Sequence, residues 1–208
     1  MAKTSNSRII NSTNGILAIL MIIVTSLSGV LMCSCSKPIP SSGITVGQIE
    51  STLKVIDENL KLPVSMSDDG GNFSYSTGKD EFTPYRINGT VDKKEEVNYI
   101  QITFDNIDTS LVLDRSKYEN VIMKISTSPG DLTMSEIKAG FCALPVIQLT
   151  QLFDPDSKSK SASVMVSGLI DLFSSGRQMK AKDWIFSCNV NSSSNSVVVS
   201  AKFIGSDN

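Results

Sequence analysis

Residues 97–104, VNYIQITF, indicate the class of fold that this chain adopts. Apolar and polar residues alternate along the stretch, which is the period of a β-strand with one buried face. The residues that should point into the core are Ile100, Ile102 and Phe104. The stretch 84–91, PYRINGTV, precedes it across a charged connection, DKKEE, and two such runs are typical of a hairpin. An antiparallel sheet is therefore expected.

Three other segments have the residue spacing of helices. Capping boxes, T-x-x-Q and T-x-x-E, mark the start of the first two at Thr45 and Thr133. The first helix carries one apolar stripe and should end before Pro63. The second is apolar on most sides and should kink near 141–145, between a glycine and a proline, or divide there into two pieces. The third covers about 162–175.

Additional strands are expected at 110–113 (SLVL), 120–127 (NVIMKIST), 178–190 and 195–204, and the last two should form a hairpin. The order of these elements predicts an α+β fold. We expect an antiparallel sheet of about five to six strands with three helices packed on one face, in the order α-β(3–4)-α-α-β-β.

Composition excludes several classes of function. The chain has 19 Lys and Arg against 21 Asp and Glu, a net charge of −2, and no histidine. Without a cluster of basic residues it lacks the electrostatic footprint of a nucleic-acid-binding protein. Without histidine it lacks the commonest general base and the most usual transition-metal ligand. The sequence therefore predicts no nucleic-acid partner, no metal, no cofactor and no catalytic residue, and an enzyme is disfavoured.

The N-terminal segment differs in composition from the rest of the chain. Residues 1–14 carry two positive charges and no negative one, residues 15–32 are almost entirely apolar, and Cys33 and Cys35 follow at once. The segment resembles a bacterial lipoprotein signal, in which a Leu-x-Ala/Gly/Ser-Cys lipobox closes the apolar region and the cysteine becomes the acylated N-terminus. An uncleaved membrane anchor is the alternative.

Two cleavage positions fit this resemblance. A cut before Cys35 places the small residue Ser34 beside the cleaved bond, as the motif requires. A cut before Cys33 places the larger Met32 there. Cys35 is therefore the preferred lipidated residue, and Cys33 is the alternative.

The resemblance implies export and attachment by lipid to the cell membrane or the outer membrane, facing outside the cytoplasm. It divides the chain into a signal peptide (1–34), a flexible tether (35–43) and a single α+β domain (44–208). It implies no activity.

Two cysteines lie within the domain. In an exported protein Cys142 and Cys188 can form a disulfide between the second helix and the last hairpin. The alternative is two buried free thiols that act as small hydrophobes. Trp184 and Phe186 alternate with Cys188, so all three should point inward.

Three aromatic residues are candidates for a binding patch. The stretch SDDGGNFSYST (67–77) is a turn cluster followed by a short alternating run, which predicts a strand before 84–91. Phe73 and Tyr75 lie on this strand and Tyr85 on the next, and on an outward face they would form an exposed surface for peptide or glycan contacts. The alternative is that they pack in the core.

Three carboxylates straddle a predicted turn. Asp105, Asp108 and Asp114 would supply an acid–base pair if they met across a cleft. Turn-forming aspartates are the alternative.

These observations favour a membrane-anchored extracytoplasmic lipoprotein with a non-catalytic binding or assembly role at the cell envelope. Its partners would be the membrane, through the N-terminal lipid, and an envelope protein, peptide or glycan. A histidine-free, carboxylate-dependent hydrolase is one alternative. A structural subunit of an envelope complex, with a large apolar patch or an open sheet edge, is another.

Overall fold

The computed structural model describes six stretches of the chain: 41–60, 64–68, 71–79, 82–92, 95–159 and 162–205. The signal peptide with Cys33 and Cys35 lies outside these residues, as does most of the tether. Within the described stretches, no helix combines the length and the hydropathy that a membrane span requires.

The described residues form six α-helices and seven strands. The helices are α1 (Val46–Leu60), α2 (Thr109–Leu113), α3 (Arg115–Thr127), α4 (Met134–Phe141), α5 (Ala143–Phe153) and α6 (Ala162–Ser175). The strands are β1 (Val64–Asp68), β2 (Asn72–Lys79), β3 (Phe82–Val91), β4 (Val97–Phe104), β5 (Met179–Ala181), β6 (Trp184–Asn191) and β7 (Ser196–Phe203).

All seven strands belong to one sheet in the order β1-β2-β3-β4-β7-β6-β5, and every neighbouring pair is antiparallel. The predicted α+β class is confirmed. The sheet has more strands than the five to six expected, and the described stretches hold six α-helices instead of three.

One face of the sheet, which we call the inner face, packs against the helices and forms the core. The predicted inward residues of β4 are confirmed, since Ile100, Ile102 and Phe104 are all fully buried. On this face the strand register aligns one apolar residue from each of five neighbouring strands: Tyr75, Ile87, Ile102, Val199 and Cys188. Because side chains alternate along each strand, the polar residues between these positions lie on the opposite face.

The predicted helix starts are confirmed by their hydrogen bonds. At α1 the Thr45 N–H donates to Gln48 Oε1 at 2.8 Å, and the Gln48 N–H donates to Thr45 Oγ1 at 3.3 Å. At α4 Thr133 and Glu136 form the same reciprocal pair. The second predicted helix divides into two pieces, which is one of the two expected outcomes, because the helical run breaks at Cys142 between α4 and α5.

The strands predicted at 110–113 and 120–127 are wrong, because both segments are helical. Asp108 accepts a hydrogen bond from the Ser110 N–H at 3.1 Å and begins α2. Asp114 accepts one from the Lys117 N–H at 3.1 Å and begins α3. The β-branched residues in α3 favoured a strand, but helical spacing of three and four residues determines which side chains are buried, namely Tyr118, Val121 and Ile125.

The segment 178–190, predicted as one strand, is two. A turn at Lys182 and Asp183 separates β5 from β6, and Lys182 has a positive φ of 50°. The charged pair reverses the chain and makes β5 a short edge strand.

Candidate functional site

The face of the sheet opposite the helices, which we call the outer face, carries mainly uncharged polar side chains. Its central row crosses five strands through Ser74, Asn88, Gln101, Ser200 and Ser187. These side chains are exposed or half-buried. The inner row beside them is apolar, so the two faces of the sheet differ sharply in chemistry.

A shallow depression of about 260 Å³ lies on this face, where β2, β3 and β4 run side by side. It is lined by Asn72, Phe73, Ser74, Asn88, Gly89, Thr90 and Tyr99. All seven residues are uncharged. The depression therefore offers amide and hydroxyl groups together with the aromatic ring of Tyr99.

Hydrogen bonds orient two of the side chains around the depression. Thr90 Oγ1 donates to Asn98 Oδ1 at 2.7 Å. The Tyr99 hydroxyl lies 3.2 Å from Ser200 Oγ, so the phenol ring is tied at its far end to β7. A half-buried ring held in this way presents a fixed surface to anything that binds beside it.

Gly89 allows the core to approach the floor of the depression closely. A Cβ at this position would lie 2.2 Å from Cε1 of Phe73 and 2.8 Å from the carbonyl oxygen of Tyr99. The Phe73 ring, buried at 2% exposure, therefore packs directly against the Gly89 backbone on the inner face. Glycine is required by this packing.

The predicted aromatic patch is wrong. Phe73, Tyr75 and Tyr85 lie on the inner face and are at most 2% exposed. The rings of Tyr75 and Tyr85 stack with their centroids 6.3 Å apart, and the centroids of the Tyr85 and Phe104 rings are 6.2 Å apart. The register between β2 and β3 places Phe73 and Tyr75 on the same face as the buried Tyr85 and Ile87. The sequence of β2 alone does not reveal this.

Tyr99 lies on the outer face, and it was not among the predicted site residues. The signal was present in the sequence, because Tyr99 alternates with Ile100 and Ile102 in the stretch that predicts the sheet. An inward assignment of those two isoleucines places Tyr99 outward by parity.

Cys142 and Cys188 are free thiols, as in the second of the two predicted arrangements, but only Cys142 is buried and Cys188 is half-buried. Trp184 and Phe186 are buried as expected, and Cys188 packs against the same core. Burial raises the pKa of the Cys142 thiol well above its usual value and that of Cys188 to about 12. Both groups are therefore protonated and weakly nucleophilic at neutral pH.

Tyr118 belongs to the same buried region. Its hydroxyl has no hydrogen-bond partner among the described residues. Burial, with a smaller contribution from the Cys142 and Cys188 thiols, raises the pKa of Tyr118 well above 10. A neutral phenol in this place adds volume to the core without satisfying its polar atom.

Asp105, Asp108 and Asp114 take three separate structural roles. Asp105 Oδ2 pairs with Arg86 Nη2 at 2.5 Å, while Asp108 caps α2 and Asp114 caps α3. The hydrogen bond from the Lys117 backbone lowers the pKa of Asp114, which is the opposite of what a general acid needs. The hypothesis of a carboxylate-dependent hydrolase loses the residues on which it was based.

A metal centre built from the usual side chains is not seen in the described stretches, where no three His, Cys, Asp or Glu residues are grouped suitably. Comparison of the chain with protein-family models, with curated proteins and with solved structures finds no match.

Proposed function

We propose that this chain is an exported, lipid-anchored protein whose α+β domain binds a partner at the cell envelope without catalysis. The observation that carries the binding role is the uncharged polar depression on the outer face, opposite the helices. The N-terminal segment, through its resemblance to a lipoprotein signal, supports the location.

The start of the domain fits this arrangement. The Val97 N–H donates to the Ile44 carbonyl at 2.7 Å, and Thr45 forms an isolated antiparallel bridge with Glu96. The chain therefore enters the domain beside the first residue of β4. Because strand residues rise about 3.3 Å each, Tyr99 lies about 7 Å further along the same strand. The described end of the tether, residues 41–43, therefore lies near the same end of β4 as the depression.

A structural subunit is the second candidate, since the sheet ends in two edge strands, β1 and β5. These strands have five and three residues, and short edges pair weakly with other chains. The concave depression supports ligand binding more directly than it supports assembly.

Intact-mass analysis of protein from the membrane fraction tests the proposal. We expect loss of residues 1–34, or of 1–32, together with the added mass of a diacylglycerol and an acyl chain. The matched variants Cys35→Ser and Cys33→Ser identify the modified residue, and we expect only Cys35→Ser to abolish processing. A full-length, unmodified mass for the wild-type protein would overturn the proposal.

A further inference from the structure

We propose that the outer-face depression binds one ring of a neutral glycan, an assignment that rests on the proposed envelope-binding function. The first reason is charge. All seven lining residues are uncharged, and the nearby Arg86 guanidinium is already paired with Asp105. The lining itself therefore offers no counter-charge to a phosphate, a carboxylate or an ammonium group. The exposed Lys202, which pairs in register with Tyr99, lies outside the lining.

The second reason is the kind of polar group present. Asn88 supplies an amide with donors and an acceptor, and Thr90 and Tyr99 supply hydroxyls. A sugar ring carries hydroxyls that both donate and accept, so it can pair with amides and hydroxyls without desolvating any charge. The Tyr99 ring adds an apolar surface for the C–H face of a pyranose, and its bond to Ser200 fixes that surface in place.

The third reason is size and position. A volume of about 260 Å³ is slightly below the range of pockets for drug-sized ligands, so it suits one ring better than a folded peptide segment. A tether of nine residues reaches at most about 30 Å, and it joins the domain at the end where the depression lies. The site would therefore stay close to the membrane surface.

Two sources of a neutral sugar ring are available near a membrane, a polysaccharide and the headgroup of a glycolipid. The chemistry of recognition is the same for both. A shallow site that contacts about a dozen ligand atoms should bind a monosaccharide with a millimolar dissociation constant.

Saturation-transfer NMR on the detergent-solubilised full chain tests the assignment. The probes are the methyl glycosides of glucose and N-acetylglucosamine, with methyl glucuronide as the charged comparison. We expect saturation of the two neutral glycosides and little of the anionic one. The variant Asn88→Ala should weaken binding about tenfold, because loss of the Asn88 amide leaves a hydroxyl of the bound sugar without a hydrogen-bond partner.

Asn189→Ala is the matched control, because Asn189 is an exposed asparagine on the same face and outside the depression. It should leave binding unchanged, and thermal melts of both variants check that they fold. Failure of the wild-type chain to bind either neutral glycoside would overturn the assignment, as would equal losses in the two variants.

Retention on insoluble polysaccharide or on vesicles of monoglucosyl diacylglycerol identifies the source. If the wild-type chain is retained on one of the two materials and Asn88→Ala reduces that retention, the assignment is supported. The material that retains the chain then identifies the ligand as the polysaccharide or the headgroup. Because intact mass measures lipidation independently, a lipidated chain that binds no sugar would refute the glycan assignment alone.

Discussion

Replacement of Gly89 by alanine tests the packing beneath the depression. The new Cβ would lie 2.2 and 2.4 Å from Cε1 and Cζ of Phe73, and 2.8 Å from the carbonyl oxygen of Tyr99. Carbon atoms in contact normally lie about 3.5–4.0 Å apart. The ring would therefore have to retreat by more than about 1 Å, and the Tyr99 carbonyl, on the adjacent strand β4, resists movement of the backbone.

The expected cost follows from two opposing effects. Overpacking a dense core costs about 1–3 kcal/mol, and the rigid neighbours place this site toward the upper end. Exchange of glycine for alanine in a strand returns about 0.5–1 kcal/mol through lower conformational entropy of the unfolded chain. We expect Gly89→Ala to lower the free energy of unfolding by about 2 kcal/mol, which moves the urea midpoint by about 1 M.

Trp184 reports the transition. It is the single tryptophan of the chain, is 1% exposed, and stacks on Phe153 with centroids 4.0 Å apart. Urea titration of its fluorescence measures the change. Gly47→Ala is the control, because a Cβ at Gly47 in α1 would lie 4.0 Å from Thr45 Oγ1 and would not clash. Alanine at this helical position should raise the free energy of unfolding by about 0.5 kcal/mol.

A double variant isolates the clash. Phe73→Leu removes the ring edge, so Phe73→Leu with Gly89→Ala should lose less stability than the two single losses added, with a coupling of at least about 1 kcal/mol. A Gly89→Ala protein within about 0.5 kcal/mol of the wild type would refute the reasoning, because the ring would then not lie against the backbone.

Three further outcomes are expected. Tyr118→Phe should raise the free energy of unfolding by about 1 kcal/mol, because it removes a buried hydroxyl that lacks a partner in the described structure; a clear loss in urea titration would contradict this. The Lys124 side chain and the Thr133 cap lower the pKa of Glu136 from 4.5 to about 2. The contribution of Glu136 to stability should therefore be complete above pH 4.5 and decline as the pH falls toward 2. Glu136→Gln should lower the free energy of unfolding by about 1 kcal/mol at pH 7, and thermal melts in acid should show a smaller decline for this variant. Peptide mapping after N-ethylmaleimide at pH 8 should show the buried Cys142 thiol alkylated only in denaturant and the half-buried Cys188 thiol alkylated slowly in the native protein, because burial raises the pKa of both thiols. Rapid labelling of Cys142 in the native protein would show that the core opens.

The parts of the fold that local sequence determines were predictable. The capping boxes at Thr45 and Thr133 place two helix starts correctly, because their hydrogen bonds involve residues only three apart. The alternation in β4 gives the correct inward face. Gly176, with a φ of 65°, ends α6 at the predicted position.

The incorrect predictions depended on longer-range or competing effects. The β-branched residues of α3 predicted a strand, but the Asp114 cap and the stripe of buried residues stabilise a helix. The orientation of Phe73 and Tyr75 on β2 and of Tyr85 on β3 follows from the register between these two strands, which local sequence does not contain. The depression itself could not be predicted, since it is formed by residues of three strands that only pairing brings together.

The place of β7 in the sheet also bears on when this protein can fold. β7 pairs with β4 across a separation of roughly one hundred residues, as in the pair Ile100 and Ala201, and such non-local pairing slows folding. During synthesis the edge of β4 that faces β7 has no partner until β7 has emerged. Removal of the final strand should therefore leave an aggregation-prone half-sheet. In an exported chain, as proposed, the sheet would be complete only once β7 reaches the compartment in which the domain folds.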